Sequence, residues 1–300
     1  MARVRSQDIE LEAAAQGDPG APAVLLVRGL GTQLTQWPAS LLEGLLDRGL
    51  RVLRFDNRDA GLSDKLDGRP QPEYGDAVAA AARGEEPAVP YTLADMAADA
   101  VAVLDHFGVE RAHAVGISLG GMVVQHLAAR HPQRVASAIS VMSTSGAPGL
   151  PPPSERALAI LYTKPSDPND REEVLRLAIE GQRAFQGSAY RRSDDELRRY
   201  CEEAFDRCHH PEGVTRQMLA VVADGSRAEL LAGIRVPFHV IHGSDDPLIP
   251  LACGADTAKR VPGARLEVID GLGHDVAPAF GPVLADAIAR FIDETGTAAP

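Results

Sequence analysis

His113-Ala114-Val115-Gly116-Ile117-Ser118-Leu119-Gly120-Gly121-Met122-Val123-Val124-Gln125-His126-Leu127 is the stretch on which the fold turns. Its centre, Gly116 to Gly120, has the pattern G-x-S-x-G. In that pattern a strained strand-to-helix turn exposes the serine hydroxyl, and the flanking glycines avoid steric collision. A glycine-rich chain meets such a pattern by chance, so the flanks decide. An apolar strand end precedes it and a helical segment follows it, as the turn requires.

Working outward, strands and helices alternate. Ala23 to Val27 reads as a buried strand, after a weakly alternating segment from Ile9 to Ala15 and the turn cluster Gln16-Gly17-Asp18-Pro19-Gly20. Pro38 to Arg48 has Leu41, Leu42, Leu45 and Leu46 at helical spacing and closes on Gly49. A strand over Arg51 to Phe55 follows. Gly61 to Pro90 shows little periodicity, and Thr92 with Asp95 forms a capping box for a helix to Phe107. Strand 111–116, helix 118–130 and strand 135–142 then accumulate βαβ units. The expected class is α/β, with a mostly parallel sheet flanked by helices.

From Ala147 to Ala232 the pattern becomes helical and rich in charge, with segments such as Glu172 to Phe185 and Asp194 to Arg207. Alternation resumes with strands at Val236 to His242 and Ala264 to Asp270. An amphipathic helix from Pro278 to Ile292 and a frayed end close the chain. The expected organisation is a core of residues 1–146 and 233–300 split by a helical cap of residues 147–232. The cap's Leu175, Leu177 and Phe185 fit either a site cover or simple packing.

A serine hydroxyl is a poor nucleophile at neutral pH. It needs a histidine base, and the base needs a carboxylate to fix its tautomer. Gly271-Leu272-Gly273-His274-Asp275 follows the last strand, and its glycines can present the His274 imidazole at the sheet edge. His242-Gly243-Ser244-Asp245-Asp246-Pro247 follows another strand and offers two carboxylates, Asp245 and Asp246, where α/β sheets bind ligands. The remaining histidines read as parts of helices, strands or the cap, and His242 as no more than the opening of the acid's loop. An oxyanion hole needs two backbone donors, and the amides of Leu119 and Leu30 occupy the expected positions. Arg28, before Gly29, could place a cation near an acidic substrate, but as a residue at a strand end it is expected rather to face solvent or pair with a carboxylate.

Composition narrows the alternatives. The chain has 300 residues, is 45% hydrophobic and carries a formal charge of −12. That charge repels phosphate backbones and anionic lipid surfaces, so neither nucleic acid nor membrane is an expected partner. Cys201, Cys208 and Cys253 lack the spacing of a zinc site or a disulfide framework. The basic start Met1 to Asp8 precedes no apolar run of signal-peptide length, and a cytoplasmic monomer or homodimer is expected.

Over the core the sequence resembles the α/β-hydrolase superfamily. Arg54-Phe55-Asp56-Asn57-Arg58-Asp59-Ala60-Gly61-Leu62-Ser63, with Asp99 to Gly121, looks like the aclacinomycin methylesterase branch, which cleaves methyl esters of polyketides. The resemblance implies a Ser118–Asp246–His274 triad. Asp246 is fifth in the H-G-x-x-D pattern, and His274 ends the G-x-G-H pattern. Many members have His-Gly where this chain has Arg28-Gly29. The implied activity is hydrolysis of a small or medium carboxylic ester through an acyl-enzyme, with no metal or organic cofactor. Lactone hydrolysis, C–C bond hydrolysis, perhydrolysis and ligand sensing can use the same scaffold. Epoxide hydrolases and haloalkane dehalogenases use an aspartate where this chain has Ser118.

Overall fold

A computed structural model of the chain describes residues 1–296. Among them, one sheet contains β1 (Ala2–Ser6), β2 (Ile9–Gln16), β3 (Ala23–Val27), β4 (Arg51–Phe55), β5 (Ala112–Ile117), β6 (Val135–Val141), β7 (Phe238–Gly243) and β8 (Arg265–Ile269). The strand order is β1-β2-β4-β3-β5-β6-β7-β8. The β1/β2 and β2/β4 pairs are antiparallel, and every pair from β4 to β8 is parallel.

Parallel neighbours need crossovers, and helices supply them. These are α1 (Ala39–Leu46), α2 (Tyr74–Ala82), α3 (Leu93–His106) and α4 (Leu119–Arg130) in the first half. Between β6 and β7 lie α5 (Glu155–Tyr162), α6 (Arg171–Phe185), α7 (Asp194–Arg207), α8 (Pro211–Asp224) and α9 (Ala228–Ala232). The last two are α10 (Leu251–Arg260) and α11 (Gly281–Gly296).

β3 shows how side-chain alternation builds the two faces. All five of its residues are buried. Leu25 and Val27 join a core with Met96, Val103 and Val123, while Val24 and Leu26 join the opposite core with Leu41, Phe280 and Ile288. A continuous apolar run is what a parallel strand covered on both faces requires.

Elements expected from the sequence lie within a few residues of those observed, and the Thr92 capping box forms: its hydroxyl accepts from Asp95 N, and Asp95 Oδ2 accepts from Thr92 N at 2.8 Å. Some elements depart from expectation. β1 is a five-residue strand carrying two arginines, and it is held by pairing with β2 and by Val4 in the core. α2 falls in the segment without periodicity. It is alanine-rich and buries only Ala77, so helix propensity rather than an apolar stripe marks it. α11 runs to Gly296, beyond Ile292, and the expected frayed end beyond it, 297–300, lies outside the described residues. No helix among the described residues is long and apolar enough to cross a membrane.

Candidate active site

β5 ends at Ile117 and α4 begins at Leu119, so Ser118 alone makes the reversal. Its φ of 54° and ψ of −120° place a non-glycine residue in a strained conformation. The surroundings impose that strain. Ser118 N donates to Val141 O at 2.9 Å, and Ser118 O accepts from Gly121 N at 2.9 Å and from Ser143 Oγ at 2.8 Å. A Cβ on Gly116 would lie 2.0 Å from Gly120 O, and one on Gly120 would lie 2.2 Å from Val27 O. Strand and helix therefore meet at backbone contact, which only glycine permits.

The loops carrying Asp246 and His274 leave the C-terminal ends of β7 and β8, on the same sheet edge as Ser118. Asp246 Oδ2 lies 2.7 Å from His274 Nδ1, and its Oδ1 accepts from Leu248 N at 2.9 Å and Ile249 N at 2.8 Å. The adjacent Asp245 is exposed. Its carboxylate accepts from Ser188 N at 3.1 Å and Ser244 Oγ at 2.9 Å, and hydrogen bonding, from Ser188 first, holds its carboxyl below the usual range. The backbone of His274 is fixed as well, donating to Phe185 O at 2.7 Å, with the Phe185 ring edge-on to the imidazole at 6.3 Å.

His242 does more than open the loop of Asp246. It is fully buried, and its Nε2 lies 2.7 Å from Ile249 O and 3.5 Å from Asp246 Oδ2. A carbonyl only accepts, so Nε2 carries the proton. Burial pushes the imidazole pKa down, outweighing Ile249 O and the Asp246 charge. His242 is thus a neutral strut across the loop that turns Asp246 inward.

The loop after β3 is fastened from two sides. Asn57 Nδ2 donates to Arg28 O at 3.0 Å, and Gly31 N donates to Gln217 Oε1 at 2.8 Å. Gln217 Nε2 in turn donates to Arg58 O at 2.9 Å. Among the described residues the Leu30 and Leu119 amides have no intramolecular acceptor. They remain available as donors beside Ser118.

Ser118, His274, Leu30 and Leu119 line one cavity of about 520 Å³, with Phe185, Tyr200 and Met218 from α6, α7 and α8 on its wall. Ser118 Oγ has no hydrogen-bond partner among the described residues. Phe185 therefore faces the cavity and Leu175 is packed in the protein, while Leu177, half-buried, does not line it. The expectation for Arg28 is corrected. It neither faces solvent nor pairs with a carboxylate; it is 6% exposed, lines the cavity and lies over the Trp37 ring at 4.9 Å. Trp37 sits nine residues along the chain, and only folding brings its ring beneath the guanidinium.

The sequence also leaves unassigned the work of Asp56-Asn57-Arg58-Asp59, each at most 2% exposed. Asp56 accepts from Leu34 N at 2.6 Å, Leu62 N at 2.8 Å and Arg207 Nη2 at 2.8 Å. Arg58 pairs with Asp99 at 2.7 Å, and Arg216 holds both oxygens of Asp59, at 2.9 and 2.8 Å. The one signal in the residues themselves is four consecutive polar side chains at the end of a buried strand.

Residues 22–277 match the family model for the α/β hydrolase fold. The chain is 30% identical to the rhodomycin D methylesterase of Streptomyces sp. (strain C5) and 29% identical to that of Streptomyces peucetius, in each case over 95% of both chains. Among solved structures it is similar to the meta-cleavage product hydrolase of Pseudomonas fluorescens IP01, with a TM-score of 0.75, 18% identity and 98% of each chain covered. Strand order, elbow and family match lead to one assignment: the chain belongs to the α/β-hydrolase fold family.

Proposed function

We propose that the protein is a serine esterase that cleaves a methyl ester of a carboxylic acid, with residues 147–232 acting as a cap over the site. The observation that carries the reading is the buried Asp246–His274 contact of 2.7 Å on the cavity that Ser118 also lines. Similarity to two methylesterases over nearly the whole chain supports the choice of leaving group.

In this mechanism Ser118 Oγ attacks the ester carbonyl carbon while His274 Nε2 takes its proton. Asp246, bonded to Nδ1–H, fixes the tautomer and balances the imidazolium. The carbonyl electron pair moves onto oxygen, which accepts from the Leu30 and Leu119 amides. Collapse breaks the C–O bond as His274 protonates the departing methoxide, leaving an acyl-Ser118 and methanol. Water then gives a proton to His274 and attacks the acyl carbon, and the returned proton regenerates Ser118 and frees the acid. Apo serine–histidine contacts tighten only when substrate arrives, so a Ser118 Oγ without a partner is compatible with this role.

The test is turnover of p-nitrophenyl acetate and of methyl esters differing in acyl size, for wild type and Ser118→Ala. Multiple turnovers by wild type and a loss of about 10⁴-fold or more in kcat for the variant are expected. Wild-type rates in Ser118→Ala overturn the mechanism, and an inert wild type overturns the activity.

A further inference from the structure

Arg28 is a buried charge that this ester chemistry does not use. It precedes Gly29, where a Cβ would lie 3.4 Å from Ser118 Cβ, so its backbone borders the nucleophile. Its Nε donates to Thr32 Oγ1 at 3.2 Å and its Nη2 to Tyr200 Oη at 3.1 Å, while Nη1 is buried without a hydrogen-bond partner. Of the other buried arginines, Arg58, Arg192, Arg216 and Arg227 each hold a carboxylate, and Arg51, away from the cavity, is bonded to the Pro19 and Phe107 carbonyls. Among the described residues Arg28 holds none. A guanidinium withdrawn from water, resting on Trp37 and bonded to two hydroxyls, still lacks a counter-charge.

Tyr200 completes the arrangement. Its oxygen accepts from Arg28, which leaves the phenol O–H as a donor. Burial pushes the phenol up, Arg28 and Arg192 opposing only in part, so the proton stays on. Arg192 lies over the Tyr200 ring at 4.2 Å but is already engaged by Asp275 at 2.8 Å, and that pair adds no net charge. The uncompensated charge on this wall of the cavity is therefore that of Arg28.

We propose that Arg28 and Tyr200 form an anion subsite for a carboxylate on the acyl part of the substrate, so that half-esters of dicarboxylic acids are preferred over neutral diesters. The inference rests on the esterase reading of Ser118. A methyl leaving group has no room for the charge, which places the carboxylate on the acid side.

The experiment measures kcat/KM for monomethyl succinate, glutarate, adipate and terephthalate, each against its dimethyl ester. At least one half-ester is expected to exceed its diester by about tenfold or more, the worth of a charge-assisted hydrogen bond. Arg28→Met is expected to erase that ratio mainly through KM, and Arg28→Lys to keep part of it. Tyr200→Phe removes one oxygen and is expected to lower the ratio severalfold, which keeps the proposal testable if Arg28→Met fails to fold. A ratio equal in wild type and variants, even with a lower melting temperature, overturns the subsite and leaves Arg28 as a clasp between β3 and α7. Calorimetry on Ser118→Ala with the same half-esters separates the two readings. Arg28-dependent binding without turnover in wild type keeps the subsite and sinks the esterase. Turnover of diesters with no Arg28-dependent preference does the reverse.

Discussion

The sheet and the helices inserted between β6 and β7 are held by different forces. β3, β5 and β6 bury almost every side chain, alternately against α3 and α4 on one face and α1 and α11 on the other. To apolar contacts such as those of Ala220 and Leu231 the insertion adds a set of buried ion pairs with the rest of the chain: Arg207 with Asp56, Arg216 with Asp59, Arg192 with Asp275, and Asp224 with His126. Apolar burial is non-directional and tolerates small shifts, whereas a desolvated ion pair is stable only in one geometry. The sheet can therefore supply a rigid edge for chemistry, and the charged seam sets how the cavity wall sits above it. The two meet at Gln217, which fixes Gly31 N and so shapes the loop carrying Leu30.

The sharpest way to break this contrast lies within one dipeptide of the core. Asp246→Asn is expected to lower kcat by about 10⁴-fold, because the wrong imidazole tautomer is then favoured. Asp245→Asn, which loses only exposed contacts to Ser188 and Ser244, is expected to change it a few-fold at most. Steady-state kinetics on one methyl ester compares them directly, and equal losses would refute the division of roles.

At the seam, Arg216→Met leaves Asp59 buried without its partner and is expected to cost about 3–5 kcal/mol in urea unfolding. Adding Asp59→Asn, which tolerates the left-handed φ of 66° and keeps an acceptor for Leu66 N, is expected to restore much of it. Failure to recover would mean that geometry, not uncompensated charge, carries the seam. In the sheet, Leu25→Ala is expected to cost about 2–5 kcal/mol through cavity formation, with no second-site rescue of that kind.

Asp224 gives the seam a pH signature. Burial raises its carboxyl pKa, but the His126 hydrogen bond and the Arg227 charge outweigh it, and the result lies below the ordinary 3.8. The folded state thus binds this proton less tightly than the unfolded chain. The stability it contributes is complete above the unfolded value and drains as pH falls through the lowered one. Asp224→Asn is expected to melt lower at pH 7 and to lose less between pH 6 and pH 3. Parallel pH–melting curves for the two proteins would remove Asp224 from the seam's acid response. The smallest expected effect is in the sheet's own helices: Thr92→Ala removes the capping box of α3 and is expected to cost about 1 kcal/mol.

Much of the frame was legible because it obeys local rules. The run Ala23 to Val27, the box at Thr92 and the spacing of Leu41, Leu42 and Leu45 each announce their element without reference to distant residues. α2 and β1 were not legible in this way, since one rests on alanine propensity and the other on a pairing partner. In the site, Ser118 is marked by its own glycines, and His274 and Asp246 by their places after strands. Residue chemistry does not distinguish Asp245 from Asp246, which both precede Pro247 in the same loop, and only the H-G-x-x-D pattern of the resemblance points to Asp246. Their difference arises from which one the fold turns toward His274.

The amino-acid sequence by itself determined the alternation of strands and helices, the strained turn at Ser118 and the order in which Ser118, Asp246 and His274 occur. Periodicity, turn chemistry and close backbone approach are properties of neighbouring residues. Only the tertiary structure decided that Arg28 is buried against Trp37 and Tyr200 without a carboxylate, that His242 braces the loop of Asp246, and that Asp56 and Asp59 receive arginines from α7 and α8. Those outcomes depend on the distance and desolvation between residues up to 172 positions apart, which no local pattern encodes.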